Sequence, residues 1–158
     1  WNIIPDIICT AKGLGGGLPI SATIGTEEIM NCLKIGDHSS TFSGNPLSCA
    51  AGNATIEYMT KNNLIDNAKE KGELFRIQLD KLKDKHKSIR EIRGMGLMLA
   101  IEMKFDIREI LTQALENGVI LLYSGRNNIR LLPPLTITDE QIIKVCNIID
   151  KILTDLEG

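Results

Sequence analysis

A lysine set beside four glycines is the residue pattern in this sequence with the clearest chemical content. Lys12 stands in the stretch TAKGLGGGLP, at the end of a short apolar run. An amine there has three uses: to hold a phosphate, to bond covalently to a cofactor carbonyl, or to sit solvated beside a flexible turn. A phosphate-binding P-loop places its lysine after the glycines, at the start of a helix, whereas Lys12 precedes them. A dinucleotide fingerprint must lead into a helix, but Gly13, Gly15, Gly16 and Gly17 lead into Leu18, Pro19 and the alternating SATIGT. Both phosphate motifs are therefore absent. Glycines have no side chain to clash, so a flat ring or a backbone can approach closely. A lysine shielded from water at such a place has its ammonium form disfavoured, which makes a Schiff base accessible near neutral pH. The local residues leave that use and the solvated lysine both open.

Two further groups have chemical content. In DHSSTFSGNP the hydroxyls of Ser39, Ser40, Thr41 and Ser43 cluster just before Pro46 opens a helix. Hydroxyls together with helix-terminal N–H groups suit a phosphate dianion; the alternative is a Ser/Asn capping loop with no ligand. Arg130 lies among Ile129, Leu131 and Leu132, where a guanidinium calls for a bidentate anionic partner. That partner is either a substrate carboxylate or a structural salt bridge.

The elements that must position these groups fall into two unequal parts. The first is Gly-rich: an apolar strand near Ile7 to Thr10, the glycine loop, the strand SATIGT, a short helix from about Glu27, the hydroxyl loop, and a helix whose first turn takes Pro46 because that N–H has no partner to lose. The second opens with an amphipathic helix in which Ile65, Ala68, Gly72, Phe75, Leu79 and Leu82 recur at three- and four-residue steps. Strands IREIRG and LMLAIEM follow, then a helix from about Asp106 to Asn117 stopped by Gly118, strands VILLY and NIRLLP, and a last helix from Thr138. Thr138 and Gln141 have capping-box spacing, and Ile142, Val145, Ile149, Ile152 and Leu156 keep a helical stripe. This strand-strand-helix-strand-strand-helix order is that of a small α+β domain.

At 158 residues with a net charge of -2, the chain has about one domain's length and no electrostatic case for nucleic acid or an anionic membrane. No apolar run spans a bilayer, and WNIIPD does not read as a signal peptide, so a soluble, cytoplasmic protein is expected. Cys9, Cys32, Cys49 and Cys146 form no CxxC pair, and His38 and His86 stand near none of them. Reduced, mostly buried thiols and no metal are the expectation. The start on Trp1 rather than methionine suggests a piece of a longer protein.

Taken together, PDIICTAKGLGGGLPISA, HSSTFSGNPLSCAAG, IREIRGMGLMLAIE and NIRLLPPLTIT closely resemble, in order and spacing, the subgroup III pyridoxal-phosphate aminotransferases. Within them the resemblance is to the acetylornithine, LysW-lysine and ornithine aminotransferases of arginine and lysine biosynthesis. It implies an α/β fold, the C-terminal part of a fold type I transferase. Residues 1–63 then belong to the large cofactor domain, and 64–158 form the interdomain helix and the small C-terminal domain. Lys12 matches the lysine that forms the internal aldimine with pyridoxal phosphate and carries the proton once released. Ser40 and Thr41 match phosphate contacts that reach the neighbouring subunit's cofactor in a homodimer. Arg130 matches the arginine that grips a substrate carboxylate, 2-oxoglutarate being the common amino acceptor.

The resemblance is imperfect. The family often has Gly-Ser-Thr-Tyr-Gly-Gly-Asn-Pro at the phosphate loop, where Ser39, Phe42 and Ser43 here replace a glycine, the tyrosine and another glycine. The Ser-Gly-Asn-Pro ending also resembles glutamate-1-semialdehyde aminomutases, while NIRLLPP with Arg130 favours the aminotransferases. A non-catalytic binding module that inherited the fold is the alternative from another class. The family's aspartate under the pyridine nitrogen, its stacking aromatic and its Ser-Gly-Thr loop lie upstream of these motifs. This piece alone is therefore expected to be inactive, and the full-length protein an enzyme.

Overall fold

The computed structural model describes residues 3–158; Trp1 and Asn2, and with them the non-methionine start, lie outside the described residues. The chain divides into two compact units, Trp1–Asn62 and Asn63–Gly158.

The first unit contains β1 (Ile7–Thr10), β2 (Ala22–Gly25), the single-turn α1 (Glu27–Met30) and α2 (Pro46–Lys61), with a 3-10 turn at Lys12–Gly15 between the strands. β1 and β2 pair antiparallel, with Ile8 opposite Ile24. A two-stranded sheet buries little, and Ile7, Ile8 and Ile24 are all exposed. Among the described residues of this unit only Gly15 and Gly52 are buried. The expectation that the cysteines are mostly buried fails for the same reason. Cys9 and Cys32 are exposed and Cys49 half-buried, and only Cys146, in the second unit, is buried, where desolvation pushes its thiol up to about 12.

The second unit has a real core. α3 (Leu64–Lys85) is followed by β3 (Ile89–Met95), β4 (Met98–Met103), α4 (Arg108–Glu116), β5 (Leu122–Tyr123), β6 (Asn128–Leu131) and α5 (Asp139–Glu157). The four strands form an antiparallel sheet in the order β3-β4-β6-β5. Ile92, Leu99, Ile101, Ile129 and Leu131 from its inward face join Phe75 and Leu79 of α3, Ile110 of α4, and Ile142, Ile149 and Leu153 of α5 in one core. The predicted α3 stripe holds from Gly72 to Leu82, but Ile65 is 76% exposed, because the first turn of α3 buries Leu64 instead. Gly72 lies where α3 crosses the β3–β4 turn, and a Cβ there would overlap the Gly96 backbone.

Strand and helix ends differ from the sequence expectation for local reasons. α4 starts at Arg108 because Asp106 stays outside it, its carboxylate accepting the Arg108 N–H at 3.0 Å. Of VILLY only Leu122–Tyr123 pairs, the Val119 N–H being spent on the Ala114 carbonyl at 2.9 Å. Between Ile89 and Glu91 the register of β3 slips by one against β4, so Arg90 is an extra residue that bends the strand and re-aims its side chain. α5 begins at the capping box read from sequence, with Thr138 Oγ1 accepting from the Gln141 N–H and Gln141 Oε1 from the Thr138 N–H.

Candidate active site

Lys12 opens the 3-10 turn with φ 51°. A left-handed backbone at a side-chain-bearing residue is uncommon and costs on the order of 1–3 kcal/mol, and only Lys12 and Asn63 adopt it among the described non-glycine residues. The turn is held by Leu14 N–H to Ala11 O and Gly16 N–H to Gly13 O, each at 3.1 Å, and it packs on α2. A Cβ on Gly15 would come within 2.8 Å of Ile20 Cγ2, and one on Gly16 (φ 59°) within 3.0 Å of Thr55 Oγ1. Gly16 lets the turn sit against α2 and Gly15 lets it close on Ile20, so the strained lysine is fixed from beneath. Thr55, which also donates to Ala51 O at 2.9 Å, is a contributor that the sequence reading missed; a lone helical threonine carries no signal. Lys12 itself is exposed within this chain. The shielding expected of it is therefore not supplied by these residues. Its ammonium has no ion pair among the described residues.

The hydroxyl loop is built from short turns, Ser43 N–H to Ser40 O at 3.1 Å and Asn45 N–H to Phe42 O at 3.3 Å. Asn45 caps α2, its Oδ1 accepting from the N–H groups of Leu47 at 3.0 Å and Ser48 at 3.2 Å. This corrects the expectation that the helix N-terminus offers its donors to a phosphate, since Asn45 has taken two of them. It also removes the capping role from the hydroxyls. Ser40 and Thr41 are exposed. Ser40 lines a cleft of about 680 Å³ with Ser21, Ser43, Ser48 and Phe42, and Lys12 is not among its walls. Among the described residues, then, the cleft at the hydroxyl loop is walled without the lysine.

Arg130 belongs to the second unit. On β6 it stands opposite Ala100 of β4 and Leu122 of β5, and it is exposed. It lines a pocket of about 240 Å³ whose other walls include Leu122, Leu132, Pro133 and Pro134. Arg76, Arg90, Arg93 and Arg108 are each paired with a carboxylate. Arg130 has no such partner among the described residues, so the structural salt bridge that sequence left open is not made there.

The family description "Aminotransferase class-III" matches residues 1–153. The chain belongs to the class-III aminotransferases. It is 43% identical over 157 residues to the acetylornithine aminotransferase of Caldanaerobacter subterraneus subsp. tengcongensis, covering 99% of this chain and 40% of that protein. It is 36% identical to the [LysW]-aminoadipate semialdehyde/glutamate semialdehyde transaminase of Sulfolobus acidocaldarius, covering 100% and 41%. Among solved structures it matches an ornithine aminotransferase from Toxoplasma gondii with TM-score 0.92 and 35% identity, covering 99% of this chain and 38% of that one; that structure has partial occupancy of PLP at its active site. The class-III chain thus has the fold of part of these enzymes, and spans about 40% of the length of the curated relatives it matches.

Proposed function

We propose that this class-III chain is the C-terminal part of a cytoplasmic, homodimeric aminotransferase that moves the distal amine of acetylornithine or a related ω-amino substrate to 2-oxoglutarate. Residues 1–63 close its large cofactor domain, and 64–158 are the interdomain helix and small domain. The observation that carries the reading is Lys12: an unpaired amine on a strained, glycine-packed turn in the position of the family's reactive lysine. Strain of this kind clusters where geometry is fixed for chemistry.

The residues fit pyridoxal phosphate. They offer an unpaired primary amine for its aldehyde, two hydroxyls free of capping duty for its phosphate, and an unpaired guanidinium for the carboxylate of its substrates. When bound, that group supplies the electron sink that makes a proton at the substrate's amine-bearing carbon removable. Lys12 Nζ would hold the group and would take up and return that proton. Ser40 and Thr41 would donate to the phosphate held by the neighbouring subunit, a reading supported by the absence of Lys12 from the walls of the cleft that Ser40 lines. Arg130 orients the substrate by a planar two-donor grip on its carboxylate.

Borohydride reduction followed by mass spectrometry tests this reading. The cofactor-loaded protein should keep the reduced cofactor on the peptide containing Lys12, and Lys12→Ala should keep none. Label on another lysine in the wild-type protein would remove Lys12 from its role.

A further inference from the structure

The outward face of the four-stranded sheet holds an arrangement that the proposed chemistry leaves unused. In register, Glu91, Glu102 and Asn128 form one row, and Arg93, Ala100, Arg130 and Leu122 the next. Glu102 is therefore a diagonal neighbour of Arg130 on adjacent strands, a spacing that long side chains bridge. Left to itself, a carboxylate there would pair with the guanidinium and occupy it. It is instead saturated. Arg90 Nη1 donates to Glu102 Oε1 at 2.9 Å, and Arg93 Nη1 to Oε2 at 2.6 Å. The β3 bulge brings Arg90 to this side, and Arg93 reaches across β4 to place Nη2 on Asn128 Oδ1 at 2.6 Å, over the small side chain of Ala100. Glu91, the other carboxylate of the face, is also held by Arg93, at 3.3 Å. Glu102 is only 17% exposed, and these contacts, Arg93 first, hold it below the usual carboxylate range, so it is a standing charge that must be answered by some arginine.

We propose that Arg93 and Arg90 are positioning residues that keep the Glu102 carboxylate from closing on Arg130, so that Arg130 stays open to a ligand carboxylate. This rests on the carboxylate-gripping role of Arg130 in the proposed function. Arg93 and Arg90 touch no substrate and act only through Glu102.

The test uses Arg93→Ala, Arg93→Gln, the double variant Arg93→Ala/Glu102→Gln, and Arg130→Lys. Arg93→Gln keeps a donor for Asn128 without the charge, in case the alanine variant fails to fold. In the cofactor-loaded full-length protein, loss of the Arg93 charge should raise KM for a donor with an α-carboxylate roughly two- to fivefold, the size of a competing ion pair, with kcat changed less than about twofold. A carboxylate-free diamine should be unaffected. Adding Glu102→Gln should restore the KM, because the competing charge is gone. In the 158-residue chain without cofactor, arginine side-chain NMR should show the Arg130 Nε–H exchanging freely with water in the parent, protected once the Arg93 charge is lost, and free again in the double variant. If Arg130→Lys hurts the carboxylate donor alone while the Arg93 variants leave KM and Arg130 exchange unchanged, the inference is overturned and the Arg130 role survives. Failure of Glu102→Gln to restore KM overturns it as well. If Arg130→Lys hurts both donors equally, the Arg130 role itself falls, and the inference with it.

Discussion

Lys12, Ser40, Thr41 and Arg130 were all legible as candidates from residue type and context, but the local geometry around each of them was not. The glycines beside Lys12 suggested close approach; nothing in TAKGLGGG says that the lysine itself takes the left-handed conformation and that Gly16 meets Thr55. The hydroxyl cluster suggested a phosphate or a cap, and the answer lay in Asn45, whose side chain does the capping. Because that leaves the Thr41 hydroxyl without a structural task, Thr41→Val should alter ligand binding and little else. Loss of one hydrogen bond to a charged group should weaken pyridoxal phosphate binding by about 1.5–3 kcal/mol, with the melting temperature of the cofactor-free protein unchanged. Fluorescence titration of the cofactor checks the first and calorimetry the second. An unchanged affinity would return Thr41 to the class of bystander loop residues.

At the level of elements, periodicity located α3 and α5, because their inward stripes are imposed by one core, while Pro46, Gly118 and short apolar runs marked α2, α4 and the strands. The β3 bulge escaped because IREIRG shows its two isoleucines three apart, which a single sequence does not distinguish from a short helix or an irregular strand. Close backbone approaches escaped too, since Gly72 and Gly52 look alike in sequence, each a glycine inside a helix. The structure separates them. A Cβ on Gly72 would overlap the Gly96 backbone, which cannot rotate away, whereas one on Gly52 would meet Ile20 Cδ1 at 3.6 Å and Leu14 O at 3.7 Å, ordinary contact distances. Gly72→Ala should therefore force α3 off the β3–β4 turn and destabilise by about 1–3 kcal/mol. Gly52→Ala should be neutral or gain up to about 1 kcal/mol from helix propensity. Urea unfolding of both variants decides, and equal losses would mean that the two helix contacts are equivalent after all.

For the whole molecule, the contrast between a unit with two buried glycines and a unit with a continuous core was not visible in the composition, which is ordinary throughout. What closes the second unit is a tie between the two ends of its helical layer, and its pH dependence can be derived. His86, 2% exposed, ends α3 with Nε2 at 2.6 Å from Asp150 Oδ1 and Nδ1 at 3.0 Å from Glu157 Oε2, and Glu157 Oε1 also accepts the Ser88 N–H at 3.0 Å. Lys85 joins Asp150 at 2.7 Å. Ser88 and then His86 hold the Glu157 carboxyl down to about 2, and Lys85 and then His86 hold Asp150 below its usual range. A carboxyl depressed in the folded state contributes stability above its unfolded value of about 4.3, and that contribution is lost as the pH falls through the folded value. For Glu157 the window therefore runs from about pH 5 down to about 2. Glu157→Gln removes the titrating group while keeping its shape and an acceptor for Ser88. The variant should be clearly less stable than the parent in urea at pH 6, and the gap should narrow steadily at pH 4 and pH 3, as the unfolded parent takes up the proton that the folded carboxylate still refuses. A gap of constant size across that range would mean that Glu157 holds the last turn of α5 by packing and neutral hydrogen bonds, not by its charge.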